Sequence, residues 1–477
     1  MDQTAIEQFA IPGLVLMERA GAAAFGVLQQ SWPGAKRIAV FSGSGNNGGD
    51  GYVIARLARE AGLDVVLYQV GEHGGLKGDA LSVADRLRQT DVPIQAYQGQ
   101  SLERIDVVVD AILGTGLQGE VTDRYRAAID AINMANTDVL AVDIPSGLHA
   151  DTGQVLGAAV KAERTISFIA MKQGLYTGAA PEYCGVLHFA GLEVPEAVYR
   201  DFEPSAQSIA FAELKTGLRP RARTVHKGEC GHVLVVGGEL GLSGAARMAG
   251  EAALRVGAGL VSVATRAAHA AALNMTRPEL MCHGIEDGEQ LRHLLEQADV
   301  VAIGPGLGQG EWARDLFASV LASAKPLVVD ADGLNLLAQQ VQQGTNWVLT
   351  PHPGEAARLL AQTSSQIQVD RYAAVTQLQE KFSGTVVLKG AGTLVRSADG
   401  PTCVCTDGNP GMASGGMGDV LTGVIAGLMA QGMSADTAAQ LGVCLHGAAG
   451  DAAARAGGER GLLASDLMPQ LRKLVNS

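Results

Sequence analysis

No stretch of about 20 uninterrupted apolar residues occurs in the chain, so no membrane-spanning helix is expected. The first residues, Met1-Asp2-Gln3-Thr4, carry no basic cluster ahead of an apolar run, so a secretory leader is not expected and a cytoplasmic location is. Positive charge is in deficit, with 36 Lys and Arg against 49 Asp and Glu and a net charge of −13. That balance argues against nucleic acid or an anionic membrane as the main partner. It leaves room for a phosphorylated small molecule held by local N–H groups. The six cysteines, at 184, 230, 282, 403, 405 and 444, contain no Cys-x-x-Cys pair, which argues against a zinc or thioredoxin-like site. Cys403 and Cys405 would share one face of a strand and read as small core residues of a reducing compartment. The 62 glycines have no collagen-like period and cluster in loops. No internal repeat is visible.

What is present is apolar. With 47% hydrophobic and 18% charged residues the 477-residue chain can bury large cores. At ~150 residues per domain it should form two or three domains. Short apolar runs ending in glycine-rich loops recur along it and predict α/β architecture. Arg37-Ile38-Ala39-Val40-Phe41 runs into Ser42 to Gly51, and a helix with Val53, Ile54, Leu57, Ala58 and Ala61 on one face follows. Strand, glycine loop, helix opens a Rossmann-type unit. The loop lacks the Gly-x-Gly-x-x-Gly spacing of a dinucleotide fingerprint. Strands over 64–70, 106–110 and 139–143 follow, the last two ending in Asp110 and Asp143. A parallel sheet gathers its strand ends at one edge, which would place Asn46, Asn47, Asp50, Asp110, Asp143 and Ser146 in one cleft. Those hard oxygen atoms could hold a cation, or each could cap a turn.

Residues 192–220 read as an irregular linker with prolines at 195, 204 and 220. The expected domains are therefore 1–205 and 210–477. In the second, strands end in Gly237-Gly238, Gly304-Pro305-Gly306-Leu307-Gly308, Asp330-Ala331-Asp332, Pro351-His352-Pro353-Gly354-Glu355 and Lys389-Gly390-Ala391-Gly392-Thr393. The last such stretch is Asp407-Gly408-Asn409-Pro410-Gly411-Met412-Ala413-Ser414-Gly415-Gly416-Met417-Gly418-Asp419, ahead of an apolar helix. A glycine turn that opens a helix exposes N–H groups at the positive end of the dipole, which is an anion site. Asp419 is either a base facing a substrate hydroxyl or a helix cap. Lys389 is either a phosphate ligand or a surface lysine at a hairpin. His352 is either a ligand-binding group or plain structure.

Gly415 to Asp419 resembles the Gly-x-Gly-Asp signature of the ribokinase superfamily. The order of the second-half motifs, from Gly244-Ala245-Ala246 to Asp419, resembles the NAD(P)H-hydrate dehydratases. Asn46 to Gly51, Gly114-Thr115-Gly116 and Asp143 to Gly147 resemble the NAD(P)H-hydrate epimerases. The pair is similar to the bifunctional NAD(P)H-hydrate repair enzymes over nearly the whole chain. Family members usually carry a further segment before the aspartate that matches Asp2, whereas this chain begins almost at that residue; the contacts of such a segment would concern dimer formation or one wall of the epimerase cleft.

The resemblance implies a Rossmann-like three-layer domain followed by a ribokinase-like domain. It implies small-molecule substrates, hydrated NADH and NADPH, whose R and S epimers the first domain interconverts. The second would dehydrate the S epimer with ADP as phosphoryl donor, giving NAD(P)H, AMP and phosphate. It puts epimerase substrate on Asn46, Asn47, Gly48, Gly49, Asp50, Gly114, Thr115, Gly116, Leu117, Gln118, Gly119, Glu120 and Asp143. Potassium would sit on Asn47, Asp110 and Ser146, with Asp110 shuttling the proton. Hydrate would meet Ala246, Gly306, His352 and Asp419, the last acting as base. ADP would meet Lys389, Gly390, Ala391, Gly392, Thr393 and Gly418, with magnesium on the diphosphate. A homo-oligomer is expected, with neither nucleic acid nor membrane as partner. The rival readings are a small-molecule kinase of the same superfamily and a non-catalytic N-terminal binding module.

Overall fold

The computed structural model describes residues 1–71 and 75–477. They fall into two compact units, Met1–Pro204 and Ser205–Ser477.

The first unit is built on seven strands: β1 (Arg37–Ser42), β2 (Asp64–Gln69), β3 (Ile94–Ala96), β4 (Val107–Ala111), β5 (Asp138–Val142), β6 (Arg164–Phe168) and β7 (Val186–Ala190). Their order is β3-β2-β1-β4-β5-β6-β7, and every pairing is parallel. Alternate residues of β1 serve opposite cores. Ile38 and Val40 pack with the helices Gly13–Ser31 and Asn46–Glu60, while Ala39 and Phe41 pack with the helix Asp123–Met134. A sheet covered on both faces needs apolar residues at every position, and the run Ile38 to Phe41 supplies them. The strand order reverses between β1 and β4, so the loops after these two strands part and leave a crevice.

The second unit carries β8 (Ala206–Ile209), β9 (His232–Val236), β10 (Leu260–Thr265), β11 (Met281–Gly284), β12 (Val300–Ile303), β13 (Leu327–Val329), β14 (Trp347–Leu349), β15 (Thr385–Leu388), β16 (Leu394–Arg396) and β17 (Thr402–Cys405). Their order is β11-β10-β9-β12-β13-β14-β15-β16-β17-β8. The first seven in that order run parallel; β15, β16 and β17 form an antiparallel meander. Val233, Val235, Val261, Val263 and Val387 face the helices Ser243–Arg255, Met417–Ala430 and Ala435–Gly457.

The linker expected over 192–220 is corrected at its centre. Ala206–Ile209 pairs parallel with β17 and closes the edge of the second sheet. Only four residues long and partly exposed, β8 shows no apolar alternation of its own. Its place comes from the partner strand. Cys403 and Cys405 are buried on β17, in the core as expected.

Candidate functional sites

In the first unit the strand-end loops line a cavity of ≈ 650 Å³. Gly45 opens the helix Asn46–Glu60 without a side-chain cap, so the N–H groups of its first turn face the crevice. The close approach of loops requires glycine at two points. A Cβ on Gly43 would stand 2.0 Å from the Ile112 carbonyl oxygen, and one on Gly48 2.1 Å from that of Gly43.

Asn46, Asn47, Asp50, Gly114, Thr115, Gly116, Leu117, Gln118 and Asp143 line the cavity, and so do Asp2 and Lys172. Gly48 and Gly49 are buried beneath it, and Gly119 and Glu120 are exposed outside its lining. Asp110 and Ser146 are also placed differently from expectation: both are fully buried and neither lines the cavity. The Ser146 hydroxyl donates to Asp110 Oδ1 at 2.6 Å and the Ser146 N–H to Oδ2 at 2.8 Å. Burial pushes the Asp110 carboxyl up to about 6 against the pull of those bonds. The position of Asp110 beneath the lining therefore favours the cation-ligand role expected of it over the proton-shuttle role.

Among the described residues the charged groups that line the cavity are Asp2, Asp50, Asp79, Asp143 and Lys172. Asp143 directly follows β5 with a φ of 65°, a left-handed conformation uncommon outside glycine. Lys172 Nζ is paired with its Oδ1, and Ser167 Oγ and the Phe168 N–H donate to the same oxygen at 3.3 Å. Burial raises the Asp50 carboxyl well above its usual range, and the charges of Asp143 and Asp2 add to this. Both amide atoms of Asn47 are buried without a partner among the described residues. An orphaned amide oxygen in the first helical turn after β1, with a buried carboxylate and hydroxyl at the ends of the adjoining strands, is a donor set that fits a hard cation.

In the second unit the loops after β9 and β12 meet at the corresponding reversal of strand order. Gly238 N donates to Pro305 O at 3.1 Å and Glu239 N to Gly306 O at 2.7 Å. Ala246, expected against the hydrate, is wholly buried below these loops. Gly306 has a φ of 59°, and a Cβ there would lie 2.6 Å from the Leu242 carbonyl oxygen.

Lys389 is in a hairpin between β15 and β16, but it is no surface lysine. Its Nζ lies 2.6 Å from Asp330 Oδ1 and 3.8 Å from Glu355 Oε2. Asp330 is buried, and its Oδ2 accepts from Thr422 Oγ1 at 2.8 Å. Burial pushes the Asp330 carboxyl up, but Lys389 and the hydroxyls outweigh this and hold it below its usual range.

Asp419 is not a cap. The helix Met417–Ala430 is capped by Gly416, at φ 91°, and carries no side-chain cap bond. Asp419 therefore stands at the third helical position with its carboxyl uncommitted to the backbone. Burial, then the charges of Asp330 and Glu355, push that carboxyl up to about 7; Lys389 pulls the other way. Gly418 lies against the same cluster, since a Cβ there would be 3.2 Å from Lys389 Nζ.

His352 caps the helix Pro353–Leu360. Its Nδ1 accepts from the Gly354 N–H at 2.9 Å, which leaves the proton on Nε2, 3.4 Å from Glu355 Oε1. Asp330 and Glu355 stood in quoted motifs without a role. Their strand-end positions, like that of Asp143, were the available signal. Lys172 gave none.

A family model described as NAD(P)H-hydrate dehydratase matches residues 233–473, and one described as YjeF-related protein N-terminus matches 13–174. A bifunctional NAD(P)H-hydrate repair enzyme of Coxiella burnetii is 50% identical over 100% of this chain and 97% of its own length. One of Escherichia coli is 45% identical over 97% and 89%. Among solved structures, a ribokinase-like superfamily protein of Enterococcus faecalis covers 58% of this chain and 97% of its own, at 31% identity and a TM-score of 0.54. An ADP/ATP-dependent NAD(P)H-hydrate dehydratase of Bacillus subtilis, co-crystallised with ATP and Mg2+, covers 56% and 98%, at 27% identity and a TM-score of 0.50.

Proposed function

The chain belongs to the bifunctional NAD(P)H-hydrate repair enzymes, and from that premise we propose how its two clefts divide the work. It is an isomerase and a lyase in one polypeptide. The first unit interconverts the epimers of hydrated NADH and NADPH, and the second dehydrates the S epimer at the expense of ADP or ATP.

In the dehydratase cleft we assign ADP as donor. Hydroxide leaves carbon poorly and phosphate leaves well, so the step to be catalysed is phosphoryl transfer to the ring hydroxyl. Asp419 takes the hydroxyl proton, the oxygen bonds to the terminal phosphorus, and AMP departs. Phosphate then leaves the ring carbon with the C–O bonding pair, and the adjacent ring carbon gives its proton to the departing phosphate or to water as its C–H pair becomes the double bond. The single observation that carries this reading is the half-buried Asp419, free of any capping bond, beside the bare N–H groups of its own helix. Those N–H groups hold the transferred phosphoryl group. Asp330, Glu355 and Asp419 set three carboxyls around one ammonium, Lys389. That surplus of negative charge fits a divalent cation arriving with the nucleotide.

In the epimerase cleft Asp143, Lys172 and Asp50 are the groups that can move a proton at the hydrated carbon. The N–H groups at Asn46 and Asn47 face the substrate's diphosphate. Potassium, held by Asn47, Asp110 and Ser146, would satisfy the orphaned amide oxygen of Asn47.

The test is to incubate hydrated NADH with ADP, ATP or neither and follow the return of NADH absorbance. Pure R epimer is assayed in potassium and in sodium. Recovery of NADH with release of free phosphate is expected with nucleotide only. Recovery of the R epimer should be faster in potassium. A stable phosphorylated product would instead make the second unit a kinase.

A further inference from the structure

Arg371 is the largest of the fully buried side chains, with 1% of its surface exposed. It is the first residue of the helix Arg371–Phe382, directly after the capping Asp370. A cation there opposes the helix dipole, and burial of a guanidinium is costly. Burial pushes its pKa down to about 10, so it stays charged at neutral pH. An apolar side chain would serve folding better at this position.

Its donors converge on one loop. Nη2 donates to the carbonyl oxygens of Leu388 at 3.2 Å, Lys389 at 3.3 Å and Gly392 at 3.4 Å. Nη1 donates to Gln368 Oε1 at 3.0 Å. In a trans peptide the C=O and the following N–H point in opposite directions. Carbonyls of Lys389 and Gly392 drawn inward therefore turn the N–H groups of Gly390 and Thr393 outward. Gly390 has a φ of 140°, and a Cβ on it would lie 3.0 Å from Arg371 Nη1. Guanidinium and glycine thus fit face to face. The outer side of the loop is exposed at Gly390 and Ala391, beside the buried Lys389–Asp330 pair.

We propose that Arg371 is a positioning residue of the nucleotide site. It holds the carbonyls of the Lys389–Gly392 loop inward so that the loop offers N–H groups to the phosphate chain of a nucleoside di- or triphosphate. The inference rests on the reading of the second unit as nucleotide-dependent. The guanidinium never touches the nucleotide; it acts through the backbone, and only a planar fork can serve several carbonyls at once.

The test uses the full chain with Arg371→Lys and Arg371→Ala, each assayed for KM of ADP, KM of hydrate, kcat and epimer exchange. Arg371→Lys should raise the KM for ADP about tenfold or more, the scale of charge-assisted hydrogen bonds lost. The KM for hydrate and epimer exchange should hold. Added methylguanidinium should restore ADP affinity to Arg371→Ala, and methylammonium should not. An unchanged KM for ADP in both variants overturns the proposal. So does a defect in Arg371→Ala that methylguanidinium leaves unrepaired while the variant keeps wild-type melting behaviour. If the unmodified chain dehydrates hydrate without any nucleotide, the functional reading fails instead, whatever Arg371 does.

Discussion

On the proposed reading one carboxyl, that of Asp419, is the base of the second unit, and its environment makes two effects of one substitution separable. Asp419→Asn keeps size and polarity but removes the base, so dehydration should fall by ~100-fold or more. Epimer exchange, which belongs to the other unit, should not change. Stability should move the opposite way. The folded Asp419 titrates near 7, above its unfolded value of 3.8, so the folded chain binds the proton more tightly. Stability contributed by that proton is full below the unfolded value and lost as pH rises through about 7. Asparagine does not titrate. The variant should therefore melt higher than the native chain at pH 8, with the gap closing toward pH 4. The native dehydration rate should climb with pH up to about 7 and then level as the base form fills. A variant that dehydrates normally, or a melting gap that is widest in acid, would refute the assignment.

The element that carries Asp419 is positioned by the absence of side chains. The helix Met417–Ala430 lies against the helix Ser243–Arg255 with Gly423 and Gly427 at the crossing. A Cβ on Gly423 would stand 2.0 Å from the Ala249 carbonyl oxygen, and one on Gly427 2.8 Å from that of Ala253. Gly423→Ala should push the helices apart and cost about 1–3 kcal/mol, as overpacking does. Asp419 sits one turn away, so dehydration should drop with it. Denaturant midpoints and turnover check both. Gly457→Ala, where nothing lies within 4 Å, is the control expected to leave both unchanged. This element was legible in the sequence because it is apolar on every face. Strands buried on both faces, such as Ile38 to Phe41 and Val233 to Val236, announce themselves as unbroken apolar runs. β6 does not: Arg164, Thr165 and Ser167 break its pattern although Thr165 and Ser167 are fully buried. Lys172 follows that strand, so overlooking β6 concealed the partner of Asp143. In the same way β3, β8, β11 and β16 are three or four residues long, and their registers are set by neighbouring strands. The base-or-cap question at Asp419 turned on the left-handed backbone of Gly416, and His352 proved a cap through one ring nitrogen.

On the scale of the molecule, two units with separate cores and separate strand-end clefts should work as separate proteins. Where the chain is cut then matters more than that it is cut. A second fragment starting at Ser205 keeps β8, which pairs with β17 from Ala206↔Thr402 to Ile209↔Cys405. It also keeps the Phe211 N–H in its native setting, donating to Asp407 Oδ2 at 2.6 Å. Asp407 stands directly before the glycine turn that leads to Asp419, and Thr406 N donates to Ile209 O at 3.1 Å. A fragment starting at Ala210 loses β8 and leaves β17 as a bare edge, a liability for pairing with other chains. It also frees the strand that delivers the turn. We expect 205–477 to dehydrate the S epimer at the rate of the full chain and to remain monodisperse at the concentrations the full chain tolerates. The fragment 210–477 should melt lower, self-associate, and bind ADP more weakly, because the turn that meets the nucleotide is anchored through β17. Residues 1–204 should exchange epimers alone. Equal melting temperatures and equal ADP affinity for the two C-terminal fragments would show that β8 only covers an edge and does not brace the site.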